Sequence, residues 1–249
     1  MSWGRRRRAA GPWLAAVLLL QGAGCATPTT GLDPGDPDDL NVLFIGNSLT
    51  YTNDLPAIFE ALAEAEGVAV SRGVVAFPNV ALEDHWSLGD ARGAIARGGW
   101  DVVVLQQGPS SLPENRANLI EWSGRFAAEI RSAGARPALY MVWPASTRPG
   151  DFDAVSESYR QAAAAVDGLL VPGGEAWRAA WRRDPALGLY GPDGFHPSAT
   201  GSYLVALTML EELAGRSSTR LPDLGLGVPA ATRALLAEAA HEAAESFGR

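Results

Sequence analysis

Two short segments of this chain carry side chains that could together perform nucleophilic chemistry. Ser48 stands in Gly46-Asn47-Ser48-Leu49, directly after an apolar run, and Asp193 and His196 stand three residues apart in a glycine- and proline-containing loop. A serine hydroxyl becomes a good nucleophile only when a base accepts its proton, and the base needs an acceptor that fixes its tautomer. Ser48, Asp193 and His196 therefore supply a nucleophile, an orienting carboxylate and a base, in that chain order.

The composition leaves few alternatives for the base. The chain has only three histidines, so a base near neutral pH is one of these or a perturbed carboxylate. His85 lies at the start of a predicted helix, and we expect it to have a packing or capping role, although it could line a cleft. His241 belongs to an alanine-rich segment and is expected to be exposed to solvent. All 20 basic residues are arginine, which excludes Schiff-base, Ser-Lys and P-loop chemistry. One cysteine cannot supply a structural zinc site, and neither a metal nor another cofactor is expected.

The N-terminal region predicts export and a lipid anchor. Arg5–Arg8 is a basic segment and Trp13–Leu20 an apolar one that is too short to span a membrane stably, as in a secretory signal peptide over residues 1–24. Gly22-Ala23-Gly24-Cys25 looks like a bacterial lipobox, which makes Cys25 the expected lipidation site. Residues 25–40 are rich in Thr, Pro, Gly and Asp and predict a flexible tether.

The charge balance excludes one class of partner. The formal charge is −8, and residues 25–249 carry 16 arginines against 28 acidic residues. Such a surface repels nucleic acid and anionic head groups, so we expect no nucleic-acid partner and contact with a membrane only through the N-terminal anchor.

Apolar runs alternate with helical patterns along the rest of the chain. This order predicts one α/β domain over residues 41–249, a three-layer α/β/α sandwich with a parallel sheet of about five strands. The predicted strands are Asn41–Ile45, Val68–Ala76, Trp100–Leu105, Pro137–Trp143 and Gly168–Val171. The predicted helices are Asp54–Glu66 with Asp54 as N-cap, Glu114–Ala133, Phe152–Val166, Ser198–Leu213 and Pro229–Ser246. Trp143 is expected either in the core or in the wall of a pocket.

Polar residues follow several of these strands. Ser48, Asn79, Gln106 and Gln107 each come just after a predicted strand. Ligands of open α/β sheets bind outside the carboxyl ends of the strands, so these side chains are expected at one site.

The two motifs and their surroundings resemble the SGNH (GDSL-type) hydrolase family, in the branch that carries G-N-S-L, over roughly residues 41–215. Leu189-Tyr190 before the Asp-x-x-His segment and Ser198–Leu204 after it are similar to the family as well. The resemblance implies a flavodoxin-like sandwich in which Ser48 is the nucleophile, His196 the base and Asp193 the orienting carboxylate.

The two middle blocks of the family depart from its pattern. Where the family has an oxyanion-binding glycine, this chain has Phe77-Pro78-Asn79-Val80, whose Asn79 can still donate its backbone N–H. The asparagine of the third block is absent from Gly108–Ser111. The candidates to replace its amide are Gln107, which we favour, Gln106 and Ser110. Alternatively, the two glutamines only form hydrogen bonds with the backbone of the loop.

Together these features predict an exported, lipid-anchored bacterial serine esterase. Its expected substrate is a small-molecule or carbohydrate ester with a short acyl group such as acetyl. A lipase, a thioesterase, an acyltransferase or a non-catalytic binding protein on the same scaffold remain alternatives. The oligomeric state is left open.

Overall fold

Five parallel strands form the central sheet, in the order β2-β1-β3-β4-β5. The strands are β1 (Leu40–Gly46), β2 (Val70–Ala76), β3 (Val102–Leu105), β4 (Arg136–Tyr140) and β5 (Leu169–Val171). The predicted parallel sheet of about five strands is confirmed. The apolar runs explain it, because every residue of β3 and residues 42–46 of β1 are buried, as in sheets covered on both faces.

The computed structural model describes Met1 and residues 39–248 except Pro222 and Leu226. Apart from Met1, these belong to the second of two units, Pro34–Arg249. The predicted signal peptide of residues 1–24, Cys25 and nearly all of the tether lie outside the described residues.

Helices cover both faces of the sheet. They are α1 (Ser48–Tyr51), α2 (Leu55–Ala65), α3 (Leu82–Leu88), α4 (Asp90–Ala96), α5 (Pro113–Ser132), α6 (Phe152–Ala165), α7 (Gly173–Arg183), α8 (Ala199–Leu213) and α9 (Ala230–Ala243). Helices α3 to α6 contact one another along one face, while α2, α7, α8 and α9 pack together on the other. This arrangement is the predicted three-layer sandwich.

The strand order creates a switch point between β1 and β3. The chain leaves β1 toward β2 on one side and returns across β1 to build β3, β4 and β5 on the other. Connections that diverge in this way leave a crevice outside the carboxyl ends of the two middle strands. Ser48 follows β1 and Gln106 follows β3, so both lie at this crevice.

Several predicted elements differ from the observed ones. Strand β4 ends at Tyr140 and not at Trp143, because the carbonyl of the next residue, Met141, accepts from the Gly174 N–H of α7, 3.1 Å away, and not from a strand. Asp54 precedes α2 but makes no capping hydrogen bond, since its backbone is left-handed (φ 52°). Helices α1, α4 and α7 were not predicted. The sequence of helix α7 shows no clear helical spacing of apolar residues, because its buried face includes Gly173, Gly174 and the charged Glu175.

Among the residues that the structure describes, no helix has the length and the apolar character required to cross a membrane.

Candidate active site

The structure brings Ser48, His196 and Asp193 into hydrogen-bonded contact across 148 positions of sequence. The Ser48 Oγ lies 2.8 Å from Nε2 of His196, and His196 Nδ1 lies 2.5 Å from Oδ2 of Asp193. Because a carboxylate can only accept, the hydrogen is on Nδ1, and the lone pair on Nε2 is free to accept the serine proton. The three side chains are arranged as a nucleophile, a base and an orienting carboxylate.

Asp193 accepts hydrogen bonds both from the imidazole of His196 and from the backbone of the loop that carries it. Its Oδ1 accepts hydrogen bonds from the backbone N–H groups of Phe195 and His196, each at 3.0 Å. The hydrogen bond from the His196 side chain, followed by that from the Phe195 N–H, lowers the pKa of Asp193 to about 2. Asp193 is thus ionised at any pH at which the imidazole can act as a base.

Asn47 caps the short helix that begins with the nucleophile. Its Oδ1 accepts from the Leu49 N–H at 3.1 Å, and its Nδ2 donates to the Val80 carbonyl at 3.1 Å. The N–H groups of a helix's first turn have no acceptor within the helix. Asn47 satisfies that of Leu49, while the Ser48 N–H lies beside the nucleophile as the first N–H of α1.

Gln106 lies beneath the same turn and is completely buried. Its Oε1 accepts from the Asn47 N–H and from the Thr50 hydroxyl, both at 2.8 Å, and its Nε2 donates to the Gln107 carbonyl at 2.5 Å. The Asn47 N–H can only donate, which fixes the orientation of the amide. Gln106 therefore holds the nucleophile turn, and its NH₂ group is directed to the Gln107 carbonyl.

Gly46 is required by this close packing. A Cβ at this position would lie 2.3 Å from the Thr50 Oγ1 and 2.4 Å from the Gln106 Oε1. The glycine of the G-N-S-L motif therefore lets the buried amide reach the turn.

The loop that carries His196 is anchored to the end of β4. The Trp143 indole donates to the Phe195 carbonyl at 3.0 Å, and the Tyr190 hydroxyl donates to the Pro144 carbonyl at 2.7 Å. Trp143 is fully buried and stacks on Trp177 with ring centroids 3.6 Å apart. Trp143 is thus a core residue that also sets the position of the base.

A second anchor joins this loop to the segment after the nucleophile. The Asn53 Nδ2 donates to the Pro197 carbonyl at 3.0 Å and to the Ser202 Oγ at 2.9 Å. Asn53 has a left-handed backbone (φ 59°), which turns the chain between α1 and α2. The two halves of the triad therefore share a direct connection outside the triad itself.

Asn79 occupies a turn in which glycine would be the usual residue. It is exposed and left-handed (φ 58°), a conformation that asparagine tolerates better than most residues. The neighbouring Val80 carbonyl is held by Asn47, so the Asn79 turn is tied to the nucleophile turn. This explains how the chain dispenses with the family's glycine here.

The amide of Gln107 is engaged by other residues. Its Oε1 accepts from the Leu82 N–H at 3.2 Å, and its Nε2 faces the Ser110 Oγ at 3.0 Å and the Asn118 Oδ1 at 3.5 Å. Ser110 in turn donates to the Gly108 carbonyl at 3.1 Å. Both residues are buried, and their hydrogen bonds join the end of β3 to α3 and α5. In this structure the side chains of Gln107 and Ser110 are therefore both bonded to neighbouring groups of the protein.

A cleft of about 370 Å³ lies beside this network. Its lining includes Ala81 and Gln107, which directly follow Val80 and Gln106, two of the residues that hydrogen-bond Asn47. Its polar lining includes Asn118, whose Nδ2 donates to the Glu83 carboxylate at 2.8 Å, and the exposed Asn115. Among the described residues that line it, none is basic. A larger cavity of about 620 Å³ lies between α4 and α5, and no triad residue lines either this cavity or the cleft.

The other two histidines lie outside the triad. His85 is fully buried with its Nε2 2.8 Å from the Gly46 carbonyl, and burial lowers its pKa. His241 is half-exposed on α9, with its Nδ1 3.3 Å from the Glu211 carboxylate.

Some residues that build the site gave no signal in the sequence. The Tyr159 hydroxyl donates to the Gln107 carbonyl at 2.6 Å and so fixes the end of β3, although the sequence shows only a tyrosine in a helix. Asn53 and Asn118 are likewise single polar residues whose partners lie far away in sequence. Only the Asn53-Asp54 pair, typical of turns, could have suggested a left-handed backbone.

Comparison with solved structures identifies proteins that share this fold. A DUF4886 family protein from Bacteroides uniformis superimposes with a TM-score of 0.74 at 20% identity, over 84% of this chain and 96% of that one. A candidate SGNH hydrolase from Slackia heliotrinireducens gives a TM-score of 0.59 at 28% identity, over 70% of this chain and 98% of that one. The fold is that of the SGNH hydrolases.

A further neighbour in this fold has a stated activity. An acetylxylan esterase from Geobacillus stearothermophilus gives a TM-score of 0.52 at 15% identity, over 70% of this chain and 94% of that one. No protein-family model matches the chain, and a search of curated proteins finds no match either.

Proposed function

We propose that this protein is a serine esterase of the SGNH hydrolase family that cleaves short-chain carboxylic esters through an acyl-enzyme on Ser48. The observation that carries the proposal is the 2.8 Å contact between the Ser48 Oγ and the His196 Nε2, with Asp193 bound to the other ring nitrogen. The similarity of the fold to esterases and acylhydrolases supports it.

The reaction follows from this geometry. As the Ser48 Oγ attacks the ester carbonyl, its proton moves to the His196 Nε2, and the imidazolium is stabilised by Asp193. The tetrahedral intermediate collapses, its C–O bond to the alcohol breaks, and His196 returns the proton to the departing alkoxide. A water molecule then attacks the acyl-enzyme while His196 accepts its proton, and the acid leaves as Ser48 is reprotonated.

The negative charge on the tetrahedral oxygen requires preorganised donors. The backbone N–H groups of Ser48 and Asn79 are our candidates, because neither depends on a side chain and the bond from Asn47 to Val80 ties the two turns together. Gln107 can contribute only if substrate displaces its amide from Ser110.

We further propose that the alcohol part of the ester is a carbohydrate that binds in the 370 Å³ cleft. Sugar hydroxyls match amide and carboxylate groups such as those of Asn115, Asn118 and Glu83. The acidic groups and the absence of basic residues among the described lining disfavour anionic substrates. An acetylated sugar, like the substrate class named for the acetylxylan esterase, is consistent with both features.

We also propose that the mature enzyme is exported and is held at the bacterial envelope by a lipid on Cys25, followed by the polar tether of residues 25–40. The support is the sequence alone.

Labelling with a fluorophosphonate followed by peptide mapping tests the chemistry. We expect one modified residue, Ser48, and hydrolysis of para-nitrophenyl acetate faster than that of the octanoate. Ser132, at the end of α5, offers a matched control: Ser132→Ala should leave labelling and turnover unchanged, whereas Ser48→Ala should abolish both. Labelling of another serine, or turnover that survives in Ser48→Ala, would refute the assignment.

The carbohydrate proposal needs a separate test. Asn115→Ala should raise KM for acetylated xylo-oligosaccharides and leave KM for para-nitrophenyl acetate unchanged, because the small aryl ester does not reach the cleft. Equal KM values for the sugar esters in parent and variant would place the alcohol elsewhere.

A further inference from the structure

His85 is a buried imidazole that the triad does not use. It lies on α3 with no exposed surface, and its ring stacks on Phe77 with centroids 5.6 Å apart and an interplanar angle of 28°. Its Nε2 is 2.8 Å from the Gly46 carbonyl oxygen. A carbonyl only accepts, so Nε2 carries the hydrogen and donates it.

The other ring nitrogen confirms this protonation state. The His85 Nδ1 is buried and has no hydrogen-bond partner among the described residues. A second proton would have to sit on this nitrogen without an acceptor, which is costly in a buried position. Burial also lowers the pKa of His85, so the ring is a neutral donor.

The group that receives this hydrogen bond belongs to the peptide in front of the nucleophile. Gly46 contributes the carbonyl and Asn47 the N–H of one peptide plane, and Ser48 is the next residue. The carbonyl accepts from His85 at 2.8 Å and from the Phe77 N–H at 3.2 Å, and the N–H donates to Gln106 at 2.8 Å. Buried side chains therefore hold this plane at both of its polar ends.

Rotation of this plane would move the groups that react. A change at Gly46-Asn47 shifts both the Ser48 Oγ and the Ser48 N–H, which the proposed function uses as nucleophile and oxyanion donor. It would also strain the bond from Asn47 to Val80 and so disturb the Asn79 turn. A misplacement of about 1 Å is enough to lower a rate by roughly 100-fold.

We propose that His85 is a positioning residue, whose Nε2–H fixes the Gly46-Asn47 peptide plane and thereby aligns the nucleophile and the oxyanion donors. The inference rests on the proposed esterase function for its kinetic consequences. Its structural part, the immobilised peptide, does not depend on turnover.

Two substitutions of similar length separate the donor from the packing. In His85→Gln the terminal amide can occupy the place of Nε2 and donate to the Gly46 carbonyl, whereas His85→Met fills similar space with no donor. We expect His85→Met to lower kcat for para-nitrophenyl acetate roughly 10- to 100-fold with KM within about two-fold, and His85→Gln to retain kcat within a few-fold. Ile130→Val, on the buried face of α5, controls for a loss of stability at a distance from the site.

Amide hydrogen exchange supplies a readout that needs no substrate. Peptides that cover residues 44–51 should exchange faster in His85→Met than in the parent, with His85→Gln and Ile130→Val close to the parent. An active parent whose kcat and exchange are both unchanged in His85→Met overturns the inference. If the parent cleaves no ester, the proposed function fails, and the exchange comparison alone decides whether His85 holds the peptide. Equal kinetic losses in His85→Gln and His85→Met would assign the effect to packing.

Discussion

Replacing Gln106 by glutamate exchanges one NH₂ group for an oxygen at the base of the nucleophile turn. The carboxyl can still accept from the Asn47 N–H and the Thr50 hydroxyl, as Oε1 does now. Its second oxygen, however, would face the Gln107 carbonyl, which lies 2.5 Å from the present Nε2. Two acceptors at this distance repel, so only the protonated acid can restore the bond by donating.

The magnitude follows from the burial of this site. Gln106 is completely buried, so both desolvation and the facing carbonyl should raise the folded-state pKa of the introduced carboxyl above the unfolded value of about 4.3. Below about pH 4.3 the carboxyl is protonated in both states, and ionisation costs the variant no stability relative to the parent. As the pH rises toward the folded-state pKa, the free energy of unfolding of the variant falls relative to that of the parent. The slope is about 1.4 kcal/mol per pH unit, so the loss at pH 7 reaches about 3.7 kcal/mol if that pKa exceeds 7.

Thermal unfolding of parent and variant between pH 4.5 and 8 measures this difference. For a domain of this size about 3.7 kcal/mol corresponds to a decrease in Tm of roughly 7–15 °C, and taking the difference from the parent removes the pH dependence of all other groups. Gln106→Met, which removes the amide at the same position without adding a titrating group, is the matched control, and its Tm difference from the parent should not change with pH. A Tm difference for Gln106→Glu that is constant with pH would show that the amide does not face the Gln107 carbonyl, and the reasoning would be wrong.

Four further outcomes are expected. Ser48→Ala and His196→Ala should each abolish ester turnover to a similar extent, because triad members act as a unit, and circular dichroism should show both folded. Asp193→Asn should lower kcat on the order of 10⁴-fold with Tm near that of the parent, since its amide oxygen keeps the two backbone bonds while its NH₂ imposes the wrong imidazole tautomer; kcat within ten-fold of the parent contradicts this. Gln107→Ala should lower stability by roughly 1–3 kcal/mol together with kcat, whereas a fall in kcat of about 100-fold at unchanged stability would make its amide an oxyanion donor after all. Mass spectrometry of the membrane fraction should find a lipid on Cys25 at the N-terminus, and an unmodified N-terminus at another residue would refute lipidation.

The sequence predicted the sheet well because most of its strands centre on short runs of apolar residues between turn signals. Strand β3 is the clearest case, since its four residues Val102–Leu105 are all buried and no other local structure suits them. The helices that were not predicted have no comparably clear pattern of apolar residues. Helix α7 turns Glu175 inward, where it bonds to Ser156 and Arg178, so its sequence does not show an apolar face.

The triad residues could be proposed from the sequence because their chemistry is local. Asp193 and His196 lie on one loop, and the orientation of one by the other needs only three residues of spacing. The roles of the polar residues around Ser48 could not be read in the same way. Whether an amide faces a ligand or a carbonyl depends on partners such as Leu82 and Tyr159, which only the folded chain brings near.

The two consecutive glutamines after β3 lie just before the segment where the family that the sequence resembles has its third-block asparagine. Successive residues of an extended chain point to opposite sides, so Gln106 reaches under the nucleophile turn while Gln107 reaches toward α3 and α5. Each amide has its oxygen fixed by a backbone N–H, and each NH₂ group donates to a neighbouring protein group, that of Gln106 to the Gln107 carbonyl and that of Gln107 to the Ser110 Oγ. The glutamines therefore hold the backbone whose N–H groups we propose as oxyanion donors, and the proposed esterase should be more sensitive to changes beneath the turn than to the loss of any side chain that lines the cleft.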